Sequence, residues 1–97
     1  MVDHIVLFKI NESATGEQIE AMLESLRGLQ DQFDGITELR CGPNTSDRSQ
    51  GFTHGLFVRF KSQEDLDEYM PHPIHQKAVS DFIIPILDTI IVVDYEV

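Results

Sequence analysis

The sequence predicts an α+β, ferredoxin-like domain in the order β-α-β-β-α-β, with a four-stranded antiparallel sheet and helices on one face. Three observations lead to this prediction. Four segments are rich in β-branched and aromatic residues, two regions between them show helical periodicity, and turn-forming residues separate the segments. The chain has 97 residues, so we expect one domain spanning positions 1–97.

Composition and charge narrow the classes of partner. Apolar residues make up 41% of the chain, and 17 acidic residues against 7 basic ones give a net charge of −10. Nucleic acids and anionic membranes attract basic surfaces, so we expect neither as a partner. Cys41 is the single cysteine, which excludes an intramolecular disulfide. Without a basic leader or a long apolar run, the sequence predicts a cytoplasmic protein.

The first half of the chain is predicted as strand, helix and strand. HIVLFKI, residues 4–10, is rich in strand-forming residues. Thr15 and Gln18 have the spacing of a capping box, and apolar residues then recur at helical spacing. We expect this helix to end at Gly35. ITELRCG, residues 36–42, is predicted as the second strand, ended by a Gly-Pro-Asn turn.

The second half begins with FTHGLFVRFKS, residues 52–62, which is predicted as the third strand. Ser62 then caps a short helix, QEDLDEYM, whose early acidic residues suit the positive N-terminal end of a helix. TIIVVDYEV, residues 89–97, is predicted as the last strand because β-branched and aromatic residues dominate it.

A stretch with two prolines, MPHPIH, precedes a third predicted helix. Pro73 suits the first helical position because the amide hydrogen that proline lacks has no partner there, and His72 is the expected cap. The helix should end or kink before Pro85. With this start, His75 shares a face with three apolar residues and is expected to point inward: Val79, Phe82 and Ile86.

Alternation along the strands makes both faces of the sheet apolar. The helices can cover only one face, which carries residues of the first and third strands: His4, Val6, Phe8, His54 and Leu56. The other face would leave a second set in water: Ile5, Leu7, Phe57 and β-branched residues of the last strand. Apolar surfaces of this size usually mark interfaces. The sequence therefore predicts a homodimer in which the two sheets face one another.

His75 and Tyr69 are the side chains best suited to catalysis. Burial and a helix N-terminus both favour neutral imidazole at His75, the form that a general base needs. Tyr69 lies on the predicted inward face of the short helix, where a phenol is placed to donate a hydrogen bond to a carbonyl or an enolate. Both residues also have plain structural interpretations: a buried histidine satisfied by a backbone carbonyl, and a tyrosine whose hydroxyl lies in water.

His4 and His54 are expected in the same layer as His75, where they would add polar groups to an apolar cavity, as in small-ligand pockets. We expect no metal and no cofactor. His72 and His75 should diverge, and the chain has no GxGxxG, phosphate-binding loop, HExxH or paired CxxC.

Five segments of the chain, taken in order, resemble one known family. They are HIVLFKI, GPN, GFTHGLFVRF, SQEDLDEYMPHPIH and VVDYEV, and together they cover nearly the whole sequence. The chain resembles the stress-responsive dimeric α/β-barrel (Dabb) family. This resemblance implies a ferredoxin-like subunit and a homodimer whose two sheets form a barrel.

One plant branch of this family looks like cofactor-free polyketide cyclases. In that branch, residues that match Tyr69 and His75 carry an aldol-type ring closure, and those that match His4 and His54 line the pocket. The first helix departs from the branch, because smaller side chains stand where it has large aromatics: Met22, Leu23 and Leu26. The expected substrate-binding set is therefore His4, His54, Val6, Phe8, Leu56, Met22, Leu23 and Leu26.

These observations leave three functions open. The first is a cofactor-free cyclase or isomerase that removes a proton next to the carbonyl of a small hydrophobic ligand. The second is a non-catalytic, stress-associated dimer that binds small molecules, and the third is a cofactor-free oxygenase or isomerase. An open cavity of about 300 Å³ or more between Tyr69 and His75 would favour chemistry, and a filled interior would favour the second function.

Overall fold

The computed structural model describes all 97 residues, and its elements follow the predicted order. The strands are β1 (Val2–Ile10), β2 (Ile36–Pro43), β3 (His54–Phe60) and β4 (Leu87–Glu96). The helices are α1 (Gly16–Gly28), α2 (Gln63–Tyr69) and α3 (Pro73–Ala78), with 3₁₀ turns at Gln30–Gln32 and Ile84–Ile86 and a π-helical turn at Val79–Ile83. The strands form one antiparallel sheet in the order β2-β3-β1-β4, which is the predicted ferredoxin-like arrangement.

Helix α1 begins as predicted and ends earlier. The Thr15 hydroxyl accepts from the Gln18 amide at 3.1 Å, and the Gln18 side chain accepts from the Thr15 amide at 2.9 Å. The helix ends at Gly28 rather than at Gly35, because the Leu29 amide bonds to Leu26 three residues back and a 3₁₀ turn follows. Gly35 has another role, since a Cβ there would lie 2.5 Å from the side chain of Asp65 in α2.

The break between α2 and α3 has the predicted caps. Ser62 accepts a hydrogen bond from the Asp65 amide, and His72 Nδ1 accepts one from the Ile74 amide at 3.1 Å. Pro73 is the first residue of α3. Met70 directly follows α2 and is 39% exposed, because the chain turns there.

The predicted apolar face of the third helix is wrong at one residue, Phe82. The π-helical turn contains one residue more than an α-helical turn. This extra residue rotates the side chains that follow it around the helix axis. Ile83 is therefore buried at 3% exposure, whereas Phe82 is 39% exposed. Ile86 is buried as predicted, and Pro85 lies in the 3₁₀ turn that ends the helical region.

The two faces of the sheet differ in how they are covered. The face that we call the inner face packs against the helices and buries alternate residues of β1 and β3 as predicted, among them Val6, Phe8, Leu56 and Phe60. The opposite, outer face has no helix on it. Strand β4 lies at the edge and is exposed on both faces, so Ile90 on the inner face is 44% exposed.

None of the helices has the length and apolar character that crossing a membrane requires.

A pair of phenylalanines tests this assignment of core and surface. Phe60 is fully buried in the sheet, and Phe82 lies on the outside of the π-helical turn. We expect Phe60→Ala to lower the free energy of unfolding by about 3–5 kcal/mol, because it removes a large ring from a packed core. Phe82→Ala should cost less than half of that, and urea denaturation measures both. Equal losses would contradict the outward position of Phe82.

Candidate active site

An apolar cavity of about 230 Å³ lies between the inner face of the sheet, the end of α2 and the π-helical turn. Seven of the residues predicted to act on or bind a substrate line it: His4, Val6, Phe8, Leu26, Leu56, Tyr69 and His75. The remaining wall is aliphatic and comes from Met70, the π-helical turn, the residues after it and β4. The cavity is smaller than the 300 Å³ expected for catalysis, but it is not filled.

Three predicted wall residues do not border this cavity. Met22 and Leu23 are buried in the core, and only Leu26, one helical turn further along α1, reaches the wall. His54 is the first residue of β3 and lies beyond Leu56, the β3 residue that reaches the cavity. Its Nδ1 is 2.8 Å from the Thr53 hydroxyl, and burial lowers the pKa of His54.

Tyr69 is the most enclosed polar residue of the wall. Its side chain is 1% exposed, and its hydroxyl is the one buried side-chain polar atom of the chain that has no hydrogen-bond partner. Burial raises the pKa of Tyr69 well above its ordinary value, so the group stays a neutral phenol. An unpaired buried donor costs about 1–3 kcal/mol, and a ligand oxygen at this point would remove that cost.

A backbone carbonyl sets the tautomer of the neutral His75 ring. Its Nδ1 is 2.9 Å from the carbonyl oxygen of Met70, which can only accept, so Nδ1 carries the proton in the neutral ring. The lone pair is then on Nε2, which makes no hydrogen bond within the protein. The structural interpretation of His75 thus holds for Nδ1, which a backbone carbonyl satisfies, and the role of the free Nε2 as a base stays a prediction.

The electrostatic environment keeps His75 unprotonated at neutral pH. Burial lowers its pKa, the hydrogen bond to Met70 opposes this effect, and the nearby His4 lowers the pKa a little further. The rings of His75 and Tyr69 are 4.2 Å apart between centroids. A neutral imidazole and a neutral phenol therefore lie side by side in the same apolar cavity.

His4 has its own partner, Asp94, which the sequence analysis missed. His4 Nδ1 lies 2.5 Å from Asp94 Oδ1, with the ring buried and the carboxylate partly exposed. The carboxylate accepts from Nδ1, which leaves Nε2 without a partner in the protein. Asp94 faces His4 through the β1–β4 register. Strand alternation alone places it on the inner face, but the register that makes the pair is a tertiary feature.

The polar groups of the cavity wall are the two imidazoles of His4 and His75 and the phenol of Tyr69. No three His, Cys, Asp or Glu side chains of the chain converge as metal ligands. The wall contains no lysine or arginine. The cavity thus suits an uncharged, mostly apolar ligand with an oxygen that can accept from the Tyr69 hydroxyl.

Comparison with known proteins identifies the family. The sequence model of the Dabb family, described as "Stress responsive A/B Barrel Domain", matches residues 2–97. The chain therefore belongs to the Dabb family. A stress-response A/B barrel domain-containing protein of Arabidopsis thaliana is 34% identical over 98% of this chain. The chain spans 36% of the length of that relative and 40% of a second Arabidopsis relative.

Solved structures confirm the ferredoxin-like fold. A crystal structure of an Arabidopsis thaliana protein matches with a TM-score of 0.89 and 28% identity, over 99% of this chain and 94% of that one. A dimeric ferredoxin-like protein of unknown function from Jannaschia matches with a TM-score of 0.84 and 29% identity, over 99% and 98% of the two chains.

Two of the similar proteins have the names of enzymes. Olivetolic acid cyclase of Cannabis sativa is 25% identical over 76% of this chain and 75% of its own. The hydroxynitrile lyase of Passiflora edulis matches with a TM-score of 0.87 and 26% identity, over 97% of this chain and 90% of that one.

The lowered pKa values of His54 and His75 predict how stability depends on pH. Both values lie below the ordinary 6.5, so the unfolded chain binds more protons than the folded one as the pH falls. Their contribution to the free energy of unfolding is complete above pH 6.5 and is lost progressively below it. Urea denaturation between about pH 7 and 5 should show this loss, and the double variant His54→Gln/His75→Gln should show a shallower one. Parallel curves would contradict the pKa shifts.

Proposed function

We propose that the protein is a homodimer in which each subunit binds a small hydrophobic carbonyl compound and removes a proton next to its carbonyl. One observation carries this proposal. The free Nε2 of His75 and the unpartnered hydroxyl of Tyr69 belong to adjacent rings in one apolar cavity. The resulting activity is that of a cyclase or isomerase that needs no cofactor.

The mechanism uses two groups in named roles. His75 Nε2 takes a proton from the carbon beside the ligand carbonyl, and the electron pair of the broken C–H bond moves to give an enolate. Tyr69 donates its hydroxyl hydrogen to the enolate oxygen, where negative charge develops in a site with little water. His4, held by Asp94, orients the ligand from the β1 side.

The second half of the reaction decides its class. In a cyclase, the enolate carbon attacks a second carbonyl of the same molecule and forms a carbon–carbon bond, and the new alkoxide takes a proton. In an isomerase, His75 returns its proton to a different carbon. Both courses restore neutral His75 and neutral Tyr69 at the end of each turnover.

The relatives support an enzymatic use of this fold. The Cannabis protein is named for a ring-forming reaction, and the Passiflora protein is named as a lyase. The homodimer is supported by the dimeric Jannaschia neighbour and by the uncovered outer face, where Leu7, Ile91 and Val93 are 38–49% exposed.

One observation favours the alternative, a stress-associated dimer that binds small molecules without reaction. The cavity holds about 230 Å³, the volume of roughly seven or eight water molecules, which is below the size common for ligand pockets. The stress-response names of the Arabidopsis relatives point the same way.

Hydrogen–deuterium exchange at the substrate tests the proposed chemistry directly. We expect the protein in D₂O to speed exchange of the acidic C–H of small β-diketones or β-keto esters, followed by proton NMR. His75→Gln should reduce the protein-dependent rate by about 10²–10⁴-fold, because it removes the base. Tyr69→Phe should reduce it too, because the enolate loses its donor.

His54→Gln is the matched control, since it changes a buried histidine outside the cavity and should leave the rate nearly unchanged. Binding of these compounds without faster exchange would favour the alternative function. Equal rates for His75→Gln and the unmodified protein would exclude His75 as the base.

A further inference from the structure

The π-helical turn places a large apolar side chain on the outer surface of the helices. In a regular α-helix Phe82 would share the inward face with Val79, but the extra residue of the turn gives the buried position to Ile83. Phe82 is 39% exposed, and Ile74 of α3 is 37% exposed. Turns of this kind are rare and are often found at functional sites. Phe82 is therefore a candidate contact for a partner.

Phe82 stands in a groove between α1 and the third helical region, which we call the α1–α3 groove. It borders two recesses of this groove, one of about 320 Å³ beside the start of α1 and one of about 410 Å³ beside its end. The α1 wall is low because small residues line it: Ala21, Ser25 and Gly28. Their spacing of three and four positions puts them on one face of the helix. The groove follows α1, whose 13 residues extend about 20 Å.

The rim of the α1–α3 groove is acidic. Glu17 and Glu24 line it from α1, and Asp81 lines it from the π-helical turn. The one basic residue of the two recesses is Lys77, and its Nζ lies 3.1 Å from Oδ2 of Asp81. Neither glutamate takes part in a salt bridge. A basic group of a partner would therefore find two unpaired carboxylates beside the exposed phenyl ring.

Charge and backbone together select the class of partner. A second copy of the chain has a net charge of −10 and would set glutamates against glutamates in this groove. Nucleic acids and anionic membranes would be repelled as well. The walls of the groove are helical, so their backbone groups offer no free edge to which a strand could pair. A helix with an apolar face and basic flanks matches both the shape and the charge.

We propose that the α1–α3 groove binds a basic amphipathic helix of another protein. Apolar side chains of that helix, three or four positions apart, enter the two recesses on either side of Phe82. Its lysine or arginine side chains pair with Glu17 and Glu24. This binding is independent of the proposed chemistry, because Phe82 does not line the cavity. It is compatible with the proposed homodimer, because the helices lie on the opposite face of the sheet.

A designed peptide tests this surface. The probe is a labelled peptide of about 18 residues that contains only leucine and lysine, with the leucines at helical spacing on one face. Fluorescence anisotropy measures its dissociation constant over a range of salt concentrations. We expect saturable binding. Phe82→Ser should raise the dissociation constant at least about tenfold, because it removes an aromatic anchor. Glu17→Gln/Glu24→Gln should raise it and weaken its dependence on salt.

Gly28→Leu is a second test that keeps Phe82 in place. A Cβ at Gly28 meets no atom within 4 Å, so the fold accepts the larger side chain, which then fills the recess at the end of α1. This change should raise the dissociation constant at least about tenfold. Gly16→Leu is the matched control, since Gly16 has the same open space at the start of α1 but does not line the groove. It should leave the constant nearly unchanged.

Glu64→Gln/Glu68→Gln is the matched control for charge, because it removes two acidic groups from α2, outside the groove. It should leave the dissociation constant nearly unchanged. Equal affinity for a peptide of the same composition in scrambled order would overturn the proposal, because charge alone would then explain binding. Binding that both Phe82→Ser and Gly28→Leu leave intact would overturn it too, as would no binding at all.

Two further measurements identify a different occupant of the groove. A smaller oligomer for Phe82→Ser than for the unmodified protein, measured by light scattering, would assign the groove to a second copy of the chain. Binding to phosphatidylserine vesicles that Phe82→Ser abolishes would assign it to a membrane surface. Either result would overturn the proposed partner. Neither bears on the proposed chemistry, which the hydrogen–deuterium exchange of the substrate measures separately.

Discussion

The burial of one aromatic ring, that of Tyr69, holds the candidate active site together. Its centroid lies 5.0 Å from those of Phe33 and Phe60, 6.2 Å from that of His4 and 4.2 Å from that of His75. These neighbours come from the segment before β2, from β3, from β1 and from α3. Aromatic pairs contribute about 0.5–1.5 kcal/mol beyond burial. The ring therefore fixes both helical regions against the sheet and sets the distance between the phenol and the base.

The same burial has a cost that a phenylalanine at this position would avoid. The ring sits where its hydroxyl has no partner, whereas both imidazoles of the site have one nitrogen satisfied, His4 by Asp94 and His75 by Met70. Each of these two bonds fixes which nitrogen carries the proton. The site thus combines two imidazoles of fixed orientation with a buried donor that has no partner, and that unpaired donor costs stability.

The edge position of β4 explains why two apolar surfaces stay partly exposed: the cavity wall on its inner side and the outer face of the sheet. The helices cover the other three strands, so the inner side of β4 borders the cavity through Ile90 and Val92 and stays partly exposed. Its outer side adds Ile91 and Val93 to an apolar face that no helix covers. A domain of this size buries only a modest share of its surface by itself, so covering that face with a second subunit would add considerably to stability.

The sequence by itself determined the features that local chemistry controls. These were the order of strands and helices along the chain, the alternation of faces in β1 and β3, the caps at Thr15, Ser62 and His72, and the start of α3 at Pro73. Each depends on residues within a few positions of one another. Tertiary structure alone decided the early end of α1, the π-helical turn that turns Phe82 outward, the exclusion of His54 from the cavity and the pairing of Asp94 with His4. These features depend on packing and register between segments far apart in the chain, which no local spacing encodes.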